Sequence, residues 1–323
     1  MKIILCQQGF RVIREQLQQL LPDDEILTCA PEDIAALGED ADVLIPTITP
    51  LGAKELALPK LKLVQQFGAG LDGVDIPSAS EQGVYVANVP TAGTGNAESV
   101  AELAVMLMLA LARQLPKAQK NISIGSVAGP RGWSLKGRTA LIVGYGGIGH
   151  EVARRLSGFE MTVVAVSHRG PKNTAEESAI PLYYHGDQST LHTQLPQADF
   201  VILAAPLNDD TRGLMGSGEF ALMKQTAFVV NVARGGVIDY EALLEALKNQ
   251  QITGAGLDVF WQEPVDPSDP LFEHNVIATP HIGGATDLSF KGIASKVAEN
   301  IRRVGRAEMP VNCANAVEAQ NNS

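Results

Sequence analysis

The segment LIVGYGGIGHEVARRL sets Gly144, Gly146 and Gly149 directly after an apolar run and at the mouth of an amphipathic stretch. Strand before and helix after make GxGxxG a dinucleotide fingerprint rather than a chance glycine cluster. Gly144 permits the tight turn, Gly146 lets backbone approach a pyrophosphate, and Gly149 lets helix pack closely on strand. The anion would then rest on free N–H groups at the positive end of the helix dipole. Tyr145, Gly147 and Ile148 complete the loop and are expected among the cofactor contacts. The next run, MTVVAVSHRG, should end in the residue that reads the adenosine ribose. An acidic residue there would bind the 2′-hydroxyl of NAD. Ser167, His168 and Arg169 stand in its place. Arg169 could fork onto a 2′-phosphate and Ser167 could donate to it, so NADP(H) is the expected cofactor, with NAD(H) still able to bind.

Further along, Arg234 lies in NVARGGVIDYEAL, Asp258 and Glu263 in GLDVFWQEP, and His281 in ATPHIGG. Each follows an apolar run. Doubly wound parallel sheets place their ligand crevice outside the carboxyl ends of such strands, so these groups are expected to cluster. An imidazole exchanges a proton near neutral pH, and an adjoining carboxylate raises its pKa and holds its tautomer. A guanidinium can fork onto oxygen atoms where charge develops.

The elements that must hold these groups alternate along the whole chain. KIILC, EILTC, VLIP, LKLVQQF and VYVANV are separated by helical stretches, the first over 12–21. A second series begins near Thr139 with TALIVG, MTVVAV, FVILAAP, TAFVVNVA, ITGAGLDVF and NVIATPH. This alternation predicts two α/β units with parallel, doubly wound sheets. Between the series, a helical pattern over 96–115 without Gly or Pro predicts a helix packed on most sides and acting as a connector. The segment 117–138 is polar, glycine-bearing and poorly periodic, and reads as an extended loop or arm suited to self-association. A last helix is expected over 288–304, with a frayed tail from Glu318.

Composition removes other classes. The 25 basic and 36 acidic side chains leave a formal net charge of −11, which repels nucleic-acid phosphates. Hydrophobic residues at 45% against 19% charged can form a core, which excludes disorder as the main state. Cys6, Cys29 and Cys313 show no metal or disulfide spacing and are expected as free thiols in a reducing cytoplasm; no metal is expected. The apolar run Ile3 to Cys6 is too short for a signal peptide. The longest run, Leu103 to Ala112, falls short of the ~20 residues that cross a bilayer.

Taken together, GAGLDGVD, NAESVAELAV, GYGGIG, NVARGGVID, GLDVF followed by EP, and TPHIGG resemble the D-isomer-specific 2-hydroxyacid dehydrogenase family over nearly the full length. The resemblance implies a cofactor domain, 98–286, inserted into a discontinuous substrate domain, 1–97 and 287–323, with the active site in the cleft between and dimerisation common. It implies hydride transfer from NADPH to C2 of a small 2-oxo acid, reversibly, giving the D-2-hydroxy acid. His281 matches the family's acid/base, Glu263 its paired carboxylate, and Arg234 the substrate-orienting cation. Ala69 and Gly70 match the positions whose backbone amides hold the substrate carboxylate. Asp258 matches a residue near the nicotinamide amide. Pro206 and Thr211 resemble residues lining the adenine and pyrophosphate side, and Val232 and Gly283 fall among the matching cofactor contacts.

Three departures bear on the substrate. Gln66 stands where phosphoglycerate dehydrogenases of this family carry an Arg, and a C-terminus at Ser323 leaves no room for their regulatory domain. Ala69 replaces the Lys of phosphite dehydrogenases, and Glu263 the amide of formate dehydrogenases. A glyoxylate or hydroxypyruvate type of acid is the remaining expectation. The rival from another class is a non-catalytic dinucleotide-binding module like the related transcriptional corepressors. It is disfavoured by the complete substrate loop and the acidic charge without a long disordered extension.

Overall fold

The computed structural model describes residues 1–127, 129–168 and 188–315, and the backbone of 182–185. The chain divides into two compact units, Met1–Asn96 with Thr286–Ser323, and Ala97–Ala285.

In the first unit, strands β1 (Lys2–Leu5), β2 (Glu25–Thr28), β3 (Val43–Ile45), β4 (Leu63–Gln65) and β5 (Tyr85–Ala87) form one sheet in the order β2-β1-β3-β4-β5. Every pairing is parallel, with Leu5 opposite both Thr28 and Ile45. Because strand side chains alternate faces, Ile3 and Leu5 enter one core with Ile13, Leu17, Val297 and Ile301, while Ile4 and Cys6 enter the other with Ile34, Leu56 and Ala79. Burial on both sides explains why these strands read as continuous apolar runs. The helix Asp287–Gly305 returns to this sheet, and its first turn is closed by the Thr286 hydroxyl accepting from Ser289 N at 3.1 Å.

The second unit has strands β6 (Thr139–Val143), β7 (Thr162–Ser167), β8 (Leu182–His185), β9 (Phe200–Leu203), β10 (Phe228–Asn231), β11 (Gly254–Leu257) and β12 (Val276–Ala278). Their order is β12-β11-β10-β9-β6-β7-β8, again all parallel. This is the dinucleotide-fold order 3-2-1-4-5-6 extended by one strand, and its reversal point lies between β6 and β9. One face packs Ile142, Phe200, Ile202 and Val230 against Val105, Met108 and Val152; the other packs Leu141, Val201 and Val229 against Phe220 and Leu243. The two parallel doubly wound sheets are those expected from the sequence.

Two local expectations are corrected. The helix in the middle of the chain, Asn96–Ala112, is buried along most of its length, but a second helix, Leu115–Ser123, takes in the first seven residues of the segment read as a loop. Gln114 takes a left-handed φ of 49° and bends the chain, and Pro116 then sits in the first turn, where its missing N–H costs no hydrogen bond. Polar composition had hidden a helix that buries nothing in its own unit. The strand β8 was also not anticipated. No single helix among the described residues is long and apolar enough to cross a membrane. Cys6, Cys29 and Cys313 are free thiols.

Candidate active site

The carboxyl ends of β10, β11 and β12 carry Arg234, Glu263 and His281, so three adjacent strands deliver the three groups to one edge of the second sheet. After β10, buried Asn231 ties the turn. Its Oδ1 accepts from Ala233 N at 3.0 Å and its Nδ2 donates to Arg234 O at 2.9 Å. Arg234 is extended and half-buried, with Nη1 donating to Ala233 O at 2.8 Å. The following Gly235 allows close approach: a Cβ there would lie 2.2 Å from the Phe260 carbonyl carbon. This contact brings the Arg234 turn against the loop that bears Glu263.

Glu263 faces back toward its own strand. Its Oε1 accepts from Phe260 N at 3.0 Å, and its Oε2 lies 2.7 Å from His281 Nδ1. Burial pushes this carboxyl up, but the His281 hydrogen bond and charge, the Phe260 N–H and the Arg234 charge outweigh it and hold Glu263 below its ordinary value. The carboxylate therefore stays ionised through neutral pH and fixes Nδ1 of His281 as the donor of the pair. His281 Nε2 has no partner among the described residues and is the ring atom open to exchange a proton.

The imidazole is aimed by a strained backbone. His281 has φ 54°, a left-handed conformation uncommon outside glycine. Asp258, at the end of β11 and 2% exposed, holds that turn. Its Oδ1 accepts from the Thr279 hydroxyl at 2.6 Å and Ile282 N at 2.9 Å, and its Oδ2 from Gly283 N at 2.8 Å. Its carbonyl accepts from His281 N at 2.8 Å. Burial raises the Asp258 carboxyl, and the three donors and the His281 charge offset it only in part. The carboxylate matched above to a cofactor contact thus has both oxygens engaged by the histidine turn, and Gly283 N is spent on it. Thr279, part of the TPHIGG motif but given no role there, belongs to the same brace.

On the same sheet the glycine loop follows β6. Gly144, at φ 95°, would place a Cβ 2.5 Å from Ala205 N, and a Cβ on Gly149 would lie 2.1 Å from Gly144 O. Only glycine lets the helix Gly147–Ser157 start this close to the strand. Gly146 is exposed with open space around its Cβ position, while Tyr145, Gly147 and Ile148 are half-buried. The first-turn N–H groups have no intrahelical acceptors. Such a cradle fits a pyrophosphate. Ser167 is half-buried and His168 exposed at the end of β7; Arg169 lies outside the described residues. Pro206 is exposed after β9. Thr211 is buried, its hydroxyl donating to Pro206 O at 2.6 Å, so that side chain braces the turn. The Val232 side chain is buried, which leaves its backbone to meet a ligand.

In the first unit, Ala69 is exposed and Gly70 half-buried in the loop after β4. Of the other histidines, His192 pairs with buried Glu219 at 2.6 Å and His150 packs edge-on to Tyr145; neither meets the trio.

Residues 105–283 match the family model described as D-isomer specific 2-hydroxyacid dehydrogenase, NAD binding domain. A glyoxylate reductase from Thermococcus litoralis is 38% identical over 287 residues, covering 85% of this chain and 84% of that one. A D-3-phosphoglycerate dehydrogenase from Methanocaldococcus jannaschii is 37% identical over 288 residues, covering 88% of this chain; the chain spans about half, 53%, of that relative's length. The crystal structure of an NADPH-dependent glyoxylate/hydroxypyruvate reductase from Sinorhizobium meliloti, in complex with NADP and malonate, superposes with a TM-score of 0.83 at 26% identity, covering 97% of this chain and 96% of that one. With a nucleotide cradle and a His–Glu–Arg group on one sheet edge and these relatives across its length, the chain belongs to the D-isomer specific 2-hydroxyacid dehydrogenase family of oxidoreductases.

Proposed function

We propose that the protein reduces a small 2-oxo acid of the glyoxylate or hydroxypyruvate type to its D-2-hydroxy acid, with NADPH preferred over NADH. The observation that carries this reading is the 2.7 Å contact between His281 Nδ1 and Glu263, made beside Arg234 with Nε2 left open. The Gly144–Gly149 loop would hold the pyrophosphate of the cofactor, whose nicotinamide would supply the hydride that reaches C2. Backbone amides of Ala69 and Gly70 receive the substrate carboxylate, and Arg234 forks between that carboxylate and the carbonyl oxygen. His281 Nε2 gives its proton to the oxygen as charge develops there, and Glu263 stabilises the imidazolium that does so. Asp258 acts mainly by holding the histidine turn.

The preference for NADPH is supported by Ser167 and His168 at the end of β7, where the sequence has no acidic residue to repel a 2′-phosphate. A phosphorylated substrate is the second reading, favoured by the phosphoglycerate dehydrogenase relative and opposed by the neutral Gln66. The domain roles follow: the second unit binds cofactor and the first binds substrate. Self-association is supported by the helix Leu115–Ser123 and the chain after it, where Ile122, Ile124 and Val127 stand 79%, 68% and 91% exposed. A reducing cytoplasm suits the three free thiols.

One steady-state panel tests the main reading. Glyoxylate, hydroxypyruvate, pyruvate, phenylpyruvate and 3-phosphohydroxypyruvate are each offered with NADPH and NADH. Turnover is expected with one of the first two, and kcat/KM with NADPH should exceed that with NADH by at least about tenfold, the ~1.4 kcal/mol of one good charge-assisted contact. No turnover with any acid alongside tight dinucleotide binding would leave a binding module.

The pairing has its own signature. Glu263→Gln keeps the shape but not the charge, so the imidazolium loses its counter-ion. The pH–rate profile should be lowered across the neutral range by about tenfold or more, the worth of one charge-assisted hydrogen bond. An unchanged profile excludes the pair from the proton transfer.

A further inference from the structure

The loop after β4 is fastened by its carbonyls. Val89 N donates to Gly68 O at 2.8 Å, Asn88 Nδ2 to Ala69 O at 2.7 Å, and Gln66 Nε2 to Gly70 O at 2.8 Å. The peptide bonds here are trans, so the carbonyl of one residue and the N–H of the next point in opposite directions. Fixing these three carbonyls turns the N–H groups of Ala69, Gly70 and Leu71 away from the partners that hold them. Among the described residues none of the three donates a hydrogen bond.

Gln66 contributes most to this arrangement. Its Nε2 gives its second proton to Thr47 O at 3.0 Å, and its Oε1 accepts from Phe67 N at 2.9 Å. At 9% exposure the side chain is committed to the loop. A primary amide here gives two protons and takes one without adding charge. The next turn carries two exposed carboxylates, Asp72 and Asp75, the latter accepting from Ser78 N at 3.1 Å and the Ser78 hydroxyl at 2.6 Å, so this stretch adds negative charge and no cation to the loop.

We propose that Gln66, assisted by Asn88, is the positioning residue that presents the amides of Ala69, Gly70 and Leu71 as a set to one carboxylate, and that it restricts the loop to 2-oxo acids bearing no other anionic group. This rests on the reading of the loop as the carboxylate site and adds a third donor and the two side chains that aim the set.

The test uses the full chain and two readouts. Steady-state kinetics with glyoxylate and NADPH give KM and kcat, with NADPH affinity followed by fluorescence. Titration of the ¹⁵N-labelled protein with oxamate, a carboxylate that is not reduced, reports on the three amides directly. In the wild type, Ala69, Gly70 and Leu71 should be among the amides that shift. Gln66→Leu should raise both KM and the oxamate Kd about tenfold, because the donors must be ordered on binding, while kcat and NADPH affinity stay within about threefold. Asn88→Ala, which removes only the partner of Ala69 O, should raise KM and the oxamate Kd about threefold by the same cause, and it decides the matter if Gln66→Leu does not fold. Gln66→Arg brings a cation to the loop and should shift kcat/KM toward 2-oxoglutarate over glyoxylate by at least about tenfold.

Silent amides in the wild type, or unchanged KM and oxamate affinity in a folded Gln66→Leu or Asn88→Ala variant, overturn the positioning role. An unchanged preference in Gln66→Arg overturns the restriction on charge. Should the wild type reduce none of the acids while its amides still answer oxamate and weaken in the variants, the reductase reading falls and the positioning role stands.

Discussion

His281→Asn is expected to lower kcat by roughly 10²–10⁴ while leaving NADPH affinity within a fewfold of wild type. The amide keeps about the size of the ring and can still meet Glu263, but it cannot give up a proton near neutral pH. The backbone at this position takes φ 54°, and asparagine enters that left-handed region more readily than most residues, so the turn survives the change. The glycine cradle belongs to the loop after β6, and nothing in its contacts involves His281. Stopped-flow nucleotide binding together with single-turnover reduction separates the two quantities. Wild-type turnover in the variant would remove the imidazole from the mechanism.

The second large effect belongs to Arg234. Arg234→Gln should reduce kcat/KM by about 10²–10³, since the guanidinium is assigned both to substrate orientation and to the developing oxyanion. Arg234→Lys should recover little, because an ammonium cannot span two oxygens in one plane. A second readout follows from the charge that Arg234 lends to Glu263. With it gone, one of the influences holding that carboxyl low disappears and its pKa rises toward the ordinary value. The acid-side fall of any residual activity should then begin at higher pH than in the wild type. A pH–rate profile of the variant that coincides with wild type on the acid side, at undiminished kcat/KM, would exclude this role.

Much of this site was legible before any coordinates. Arg234, Asp258, Glu263 and His281 each close an apolar run, and the rule that parallel sheets expose ligands at strand ends placed them together. The glycine loop was legible because close approach leaves no alternative residue at Gly149. What escaped has a common physical cause. The Asp258 contacts with Thr279, Ile282 and Gly283 join residues more than twenty positions apart, and those from Gln66 and Asn88 to the substrate loop depend on turns with no periodic signature. Sequence pattern reports which side chains prefer a core; it does not report which amide a carboxylate will meet. The helix Leu115–Ser123 escaped for another reason: its apolar stripe, Leu115, Ala118 and Ile122, is short, set among polar residues and opened by a proline.

The two carboxyls around His281 are displaced from their ordinary values in opposite senses, Asp258 upward and Glu263 downward. Acid therefore acts on the histidine's surroundings through two separate events. Protonation of Asp258 relieves a buried charge but sets an O–H where three donors arrive, whereas protonation of Glu263 removes the counter-ion of the imidazolium. An assay that follows only the ion pair would record one of these and overlook the other.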